Sequence, residues 1–185
     1  LGAFSDRIFR PFAVFWGNNE RLLVALSVPV DRHRVEKDMA NKDDFDINDY
    51  AAYTRIVSVD LTLSNGVVLM EDEWRVRNNW SLSRITNFLP NDPAHVLMPA
   101  YRDGRRQQYK VNIYTGGSEL VTSGSTNPYR FLNDEDGKPL YRFDYLQRSK
   151  AIVIFVADEK GGWDRVEKIY LNKDEEDDID KDGLI

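Results

Sequence analysis

The stretch that decides the fold lies near the end of the chain and reads Ala151-Ile-Val-Ile-Phe-Val-Ala157, Asp158-Glu-Lys-Gly-Gly162 and then Trp163 to Leu171. The first seven residues are apolar and rich in β-branched and aromatic side chains, but they are too few for a typical globular helix. They predict a strand that is covered on both faces and lies in the middle of a core. The Gly-Gly segment tolerates positive φ and reverses the chain. The returning strand closes a β-hairpin.

This hairpin resembles a known structural element. In the segment 139–171, an apolar strand, an Asp-x-x-Gly-Gly turn and a final strand follow one another. That order resembles the last hairpin of bacterial immunoglobulin-like modules of the PKD type. The resemblance implies a β-sandwich, and the matching residues include no catalytic side chain.

Other parts of the chain alternate between apolar and polar residues with a period of two, which is typical of strands. Such alternation occurs over 22–30, 57–63, 109–113 and 141–145. About seven to nine strands are expected, with turn signals between most of them. We predict an all-β fold, an antiparallel β-sandwich of the immunoglobulin-like or jelly-roll kind, with one or two packed pairs of sheets and long loops.

The dipeptide Asn65-Gly66 is a strong signal for a two-residue hairpin turn. If these two residues form the turn, Leu63 faces Val68 and Val57 faces Trp74. That register places apolar side chains opposite one another, and such cross-strand pairs would stabilise it.

The predicted domain organisation follows from the places where the regular strand pattern of the sequence is interrupted. Residues 1–104 are expected to form an N-terminal β-sheet region whose last part, 78–104, is an irregular arm with three prolines. Residues 105–172 are expected to form a C-terminal sandwich region, and 173–185 an acidic tail. One composite domain over 1–172 is the alternative.

Composition sets the protein class. The 185 residues are 42% hydrophobic, which excludes a chain that is disordered throughout. The absence of cysteine excludes disulfides, thiolate catalysis and Cys-ligated zinc. No apolar run is long enough for a transmembrane helix. The chain begins with Leu1 instead of Met, which we interpret as a processed or truncated N-terminus.

Charge is unevenly distributed. Seven acidic residues and two lysines lie between 172 and 182, a balance of −5 out of the total of −6. Between 75 and 110, seven Arg or Lys stand against two Asp, a balance of +5. A basic middle and an acidic tail are compatible with contacts between copies, and also with charges that are simply solvated.

Candidate chemistry is sparse. The two histidines, His33 and His95, have no metal-ligand spacing, and no serine lies in a Gly-x-Ser-x-Gly turn. Arg102, Arg105 and Arg106 beside Tyr101 and Tyr109 could contact nucleic acid, but the chain is acidic overall, so we do not predict a nucleic-acid partner. We predict that the protein is not an enzyme.

The most specific motif is Asp178-x-Asp180-x-Asp182-Gly183. It resembles the start of an EF-hand loop and the Asp-rich calcium repeats of thrombospondin type 3. This resemblance implies that Asp178, Asp180 and Asp182 are calcium ligands. The sequence stops before the bidentate acid of such a loop, so either the protein continues beyond Ile185 or the segment is a disordered acidic tail.

We therefore predict a non-catalytic structural, assembly or binding module of an extracellular or particle-like assembly. Its expected partners are other protein subunits, including copies of itself, and its expected location is secreted or at the cell surface. A carbohydrate-binding module that stacks sugars on Trp16, Trp80, Trp163 or Tyr101 is one alternative. A phage or viral structural protein is the other, which would place the chain in a virion or similar particle.

Overall fold

The computed structural model describes residues 10–29, 52–123 and 128–171. These ranges contain twelve β-strands, one 3₁₀ turn at Gln147–Ser149 and no α-helix. The strands are arranged in three sheets, and every strand pair but one is antiparallel. The predicted all-β class with antiparallel sheets is confirmed.

Sheet A contains the first five strands of the chain. These are β1 (Arg10–Trp16), β2 (Arg21–Pro29), β3 (Ala52–Asp60), β4 (Val67–Val68) and β5 (Ser81–Leu82). The order across the sheet is β1-β2-β3-β4, and β5 pairs in parallel with β3. The strand predicted from the alternation after residue 21 is confirmed as β2, and β1 is the edge strand beside it.

Sheet B is a three-stranded meander of β6 (His95–Arg102), β7 (Arg105–Asn112) and β8 (Ser118–Ser123). The chain reverses between β6 and β7 at Asp103 and Gly104, which both have positive φ. The predicted strand at 109–113 corresponds to the second half of β7. A single antiparallel bridge joins Asn87 to Leu97, so the segment before β6 runs along the edge of this sheet.

Sheet C contains β9 (Pro128–Asn133), β10 (Pro139–Leu146), β11 (Ala151–Ala157) and β12 (Trp163–Tyr170), in the order β12-β11-β10-β9. The predicted closing hairpin is confirmed, with Ala151 opposite Tyr170 and Ala157 opposite Trp163. In its turn the Asp158 carboxylate accepts hydrogen bonds from the amides of Lys160 (2.8 Å) and Gly162 (2.7 Å). These bonds hold the reversal in place.

The main hydrophobic core lies between sheets A and B. Leu23 and Ile56 of sheet A meet Val96, Met98 and Tyr109 of sheet B, and all five are almost completely buried. The expectation that β11 lies in the middle of the core with both faces covered is wrong. Only its first and third residues, Ala151 and Val153, are buried. The strand is central within its own sheet, where pairing on both edges satisfies its backbone.

The register predicted for the Asn65-Gly66 hairpin is also wrong. Val57 pairs with Val68 and not with Trp74, and β3 ends at Asp60. The Asp60 carboxylate accepts hydrogen bonds from the Thr62 hydroxyl (2.6 Å) and from the amides of Thr62 and Ser64. These bonds, led by those of Thr62 and Ser64, lower the pKa of Asp60 to about 2. A loop built around one carboxylate replaces the two-residue turn.

The segment predicted as an irregular arm, 78–104, is partly regular. It contains β5 and β6, and Arg55 of sheet A fixes its start. The Arg55 guanidinium donates hydrogen bonds to the carbonyl oxygens of Asn79 (2.9 Å) and Arg77 (2.6 Å). The proposed boundary between 104 and 105 stays a prediction, and that position falls in the turn between β6 and β7.

Sheets B and C meet through polar contacts. The side-chain amides of Gln108 on β7 and Asn133 on β9 exchange two hydrogen bonds, of 3.0 and 2.9 Å. On β10, which was expected to present Tyr141, Phe143 and Tyr145 on one face, the charged face is the buried one. Arg142 and Asp144 form a bidentate ion pair there, at 2.9 and 3.2 Å. Register places both residues on the side of Phe131, which is the side of sheet C that faces sheet B.

Candidate interaction surface

The free edge of sheet A presents apolar side chains to solvent. In β1, Phe12, Val14 and Trp16 are 58%, 60% and 68% exposed. No residue from 11 to 16 is charged. Arg10 begins the strand, and among the described residues no other strand pairs with the outer edge of β1. An apolar strand edge with open backbone groups is a ready template for pairing with another chain. We call Phe12, Val14, Trp16 and this free edge the β1 surface.

The alternation of side chains along β2 explains why the surface beside β1 is also apolar. Leu23 and Ala25 of β2 are buried against sheet B, so the alternate residues Leu22 and Val24 point to the outer side and are only half-buried. Register extends this outer side: Trp16 and Val59 flank Leu22, while Val14 and Val57 flank Val24. Sheet A is therefore apolar on both faces, although sheet B covers only one of them.

Another long edge strand, β12, is built differently. Its sequence from 163 to 170 includes Asp164, Arg165, Glu167 and Lys168. Val166 in its middle is 58% exposed, nearly the same as Val14 of β1. Charged side chains along an edge disfavour pairing with a second sheet, because desolvating them is costly. The two edges thus have similar exposure and opposite character.

The aromatic residues considered for sugar binding are not equivalent. Trp16, Trp80 and Tyr101 are exposed, whereas Trp163 is half-buried beside Phe131. Trp80 stacks on Tyr53 with ring centroids 4.6 Å apart, which fixes its orientation. Trp74, which was not among the predicted stacking residues, is also exposed.

The basic patch at 102–106 does not form a platform for bases. Tyr109, which was expected to stack on bases, is buried in the core between sheets A and B. Arg106 is buried as well, while Arg105 is exposed and Arg102 lies 3.5 Å from Asp103. Because adjacent strand residues point to opposite faces, consecutive arginines on a strand do not share one surface.

His95 belongs to a small polar cluster at the start of β6. Its Nδ1 atom lies 2.9 Å from Asp92 Oδ1, and its Nε2 atom lies 3.2 Å from the Asn112 amide nitrogen. Lys110 contacts the other Asp92 oxygen at 2.6 Å. Hydrogen bonds from His95 and then Lys110 hold the pKa of Asp92 below its ordinary value. His33 lies outside the described residues.

The predicted calcium ligands Asp178, Asp180 and Asp182 also lie outside the described residues. Within the part of the chain that the structure describes, no group of three or more His, Asp or Glu side chains is arranged to hold a metal ion. In the same ranges, no helix has the length and apolar character required to cross a membrane.

Comparisons with known proteins give little guidance. No protein-family model matches the chain, and no curated protein matches it. A search of solved structures finds a similarity to the periplasmic gluconolactonase of Pseudomonas aeruginosa, with a TM-score of 0.37 and 13% sequence identity. The match covers 89% of this chain and 55% of that protein, so the chain spans about half the length of its neighbour.

Proposed function

We propose that the protein is a non-catalytic assembly module that associates with a second copy of itself through the β1 surface. The observation that carries this proposal is the exposed edge of sheet A, which is uncharged from Pro11 to Trp16 and continuous with an apolar outer face. In water, exposed apolar area of this kind favours burial by about 25 cal/mol for each Å² removed from solvent. Exposed apolar strand edges and faces are typical of interaction surfaces.

A second copy is the partner that fits this edge best. Two β1 strands related by a two-fold axis pair antiparallel, and each backbone group left open on one edge then meets its complement on the other. The residues from Phe12 to Trp16 are uncharged on both sides of the strand, so this pairing brings no like charges together. The two sheets then form one continuous sheet.

The wider proposal places such assemblies outside the cell or in a particle. It rests on the same surface, together with the opposite charges of the 75–110 region and the acidic tail. Calcium binding by Asp178, Asp180 and Asp182 stays part of the proposal as a separate stabilising element. Glycan binding through exposed aromatic residues such as Trp80 is the second candidate, because Trp80 is both exposed and oriented by Tyr53.

The test is light scattering coupled to size exclusion at several protein concentrations, at low and high salt, and with and without calcium. We expect the mass to rise from 21.5 kDa toward twice that value with concentration, and high salt to leave the dimer intact. Salt has little effect because the contact is apolar and made by backbone hydrogen bonds, whereas ionic contacts are screened.

Two matched variants localise the contact. Val14→Lys places a charge on the β1 edge and is expected to weaken self-association at least about tenfold, because an ammonium group cannot be buried there without a partner. Val166→Lys places the same charge on β12 at nearly equal exposure and is expected to leave association unchanged. Both sites are exposed, so both variants should fold.

Three results would contradict the proposal. A wild-type protein that stays monomeric under every condition has no self-association to explain. Equal weakening by Val14→Lys and Val166→Lys would place the contact elsewhere. A monomer whose tryptophan fluorescence is quenched by neutral oligosaccharides would replace assembly with the glycan-binding candidate.

A further inference from the structure

A cavity of about 350 Å³ opens between sheets B and C, on the side of sheet B away from sheet A. Three segments distant in sequence form most of its wall, namely the loop after β5, strand β7 and strand β9, and Pro99 of β6 completes it. Its volume falls within the range of sites for small molecules.

The charge of this cavity is one-sided. Each of the three enclosing segments contributes one arginine: Arg84, Arg106 and Arg130. No carboxylate belongs to the lining given by the described residues. Arg106 is only 7% exposed, whereas Arg84 and Arg130 lie at the exposed rim. The guanidinium groups of Arg84 and Arg130 create a positive potential at the rim that attracts anions, while Arg106 already has an interaction within the protein.

The frame of the cavity is fixed before any ligand enters. Gln108 is almost completely buried, exchanges two hydrogen bonds with Asn133 and donates a third to the Thr86 hydroxyl at 3.3 Å. The Thr86 hydroxyl in turn donates to the carbonyl oxygen of Leu97 at 3.1 Å. These bonds join the loop, β7 and β9 to one another. A site held in this way loses little entropy when a ligand binds.

Other arginines of the chain have a structural role that the rim arginines lack. The Arg21 guanidinium donates to the hydroxyl and carbonyl oxygens of Ser58, each at 2.9 Å, and Arg142 is paired with Asp144. Among the described residues, Arg84 and Arg130 have no hydrogen-bond or ion-pair partner. Within the described part of the chain, both guanidinium groups are thus open to a ligand.

We propose that this cavity binds a small organic anion that carries carboxylate or phosphate groups. The planar fork of a guanidinium matches both groups with two parallel hydrogen bonds. Ile85, Pro99 and Phe131 supply apolar wall, which suits a ligand with a carbon framework better than a bare inorganic ion. The site is independent of the β1 surface, which lies on sheet A.

The test is isothermal titration calorimetry of the full chain at moderate ionic strength. The probes are citrate, glucuronate, glucose 6-phosphate and inorganic phosphate, with neutral glucose for comparison. We expect at least one organic anion to bind saturably, with glucose inert and inorganic phosphate weaker than glucose 6-phosphate. Arg84→Ala and Arg130→Ala should each weaken binding about tenfold or more, the usual effect of losing a charged hydrogen bond.

Arg105→Ala is the matched control, because Arg105 is an exposed arginine next to Arg106 that does not line the cavity. It should change affinity less than about twofold, as expected for an exposed charge outside the site. Equal losses in all three variants would show general attraction to positive charge and would overturn the proposal. So would a panel in which no anion binds, or in which glucose binds as tightly as glucuronate or phosphate as tightly as glucose 6-phosphate.

Discussion

The two faces of sheet B are packed by different kinds of interaction. Toward sheet A, Leu23, Ile56, Met98 and Tyr109 form a dense apolar core. Toward sheet C, the amides of Gln108 and Asn133 form a hydrogen-bonded pair beside a cavity rimmed by arginines, and the Arg142 to Asp144 ion pair is buried within sheet C itself. The first side gains free energy by removing apolar area from water, while the second depends on every polar group having a partner. This difference separates the part of the molecule that provides stability from the part that leaves room for a ligand.

The ion pair on the sheet C side gives the largest expected effect. Asp144→Ala leaves Arg142, itself almost completely buried, without its carboxylate partner and should cost about 3–5 kcal/mol in the free energy of unfolding. Arg142 also lies over the rings of Phe155 (4.2 Å) and Trp163 (5.0 Å), which cannot replace a carboxylate. Urea unfolding followed by circular dichroism measures this cost.

The control for Asp144→Ala is the double variant Arg142→Met with Asp144→Leu. Replacing both partners by apolar groups removes the unpaired charge and should restore most of the lost stability. A single variant that loses less than about 1 kcal/mol would mean that water reaches Arg142, and the contrast between the two sides of sheet B would then disappear.

Parts of the fold could be predicted from the sequence because local signals agreed with the tertiary structure. The β11–β12 hairpin was recognisable since an apolar run, an Asp-x-x-Gly-Gly turn and a returning strand all lie within 21 residues. The Asn65-Gly66 register was mispredicted because Asp60, five residues earlier, captures the loop amides with its carboxylate. Four hydrogen bonds to the Asp60 carboxylate hold the loop in the structure.

The candidate sites were harder to predict. Alternation in β2 indicated that one face is buried but not which one. Because Leu23 and Ala25 are the buried residues, the apolar residues Leu22 and Val24 lie on the outer side of sheet A. The arginine cavity brings together positions 84, 106 and 130, which no local pattern connects. On β10, alternation suggested an aromatic face and a charged face, and the charged face is the buried one because Arg142 and Asp144 neutralise each other.

An intermediate effect is expected on the sheet A side of sheet B. Ile56→Val removes one methylene from a fully buried position and should cost about 0.5–1.5 kcal/mol, the usual sum of lost transfer energy and a small cavity. The same urea measurement applies, with Val166→Ala on the exposed face of β12 as the control that should be nearly neutral. If Ile56→Val costs as much as Asp144→Ala, the two sides of sheet B are equally sensitive and the comparison fails.

The smallest expected effect is a dependence on pH at the cluster around Asp92. Because the pKa of Asp92 is lowered by His95 and Lys110 in the folded protein, the carboxylate contributes stability above its unfolded pKa of about 4. That contribution is lost as the pH falls through the lowered folded value. The group is partly exposed, so about 0.5–1 kcal/mol is at stake.

Asp92→Asn isolates this contribution. The variant should be less stable than the wild type at pH 6, and the difference should shrink as the pH is lowered toward 3. Over that range the wild-type carboxylate becomes protonated and loses its charge, whereas the amide of the variant is uncharged throughout. Asp60, whose pKa is about 2, keeps its own acid sensitivity in both proteins and so cancels in the difference. A difference that stays constant from pH 6 to pH 3 would mean that the amide perturbs packing and that the Asp92 charge is not what Lys110 and His95 stabilise.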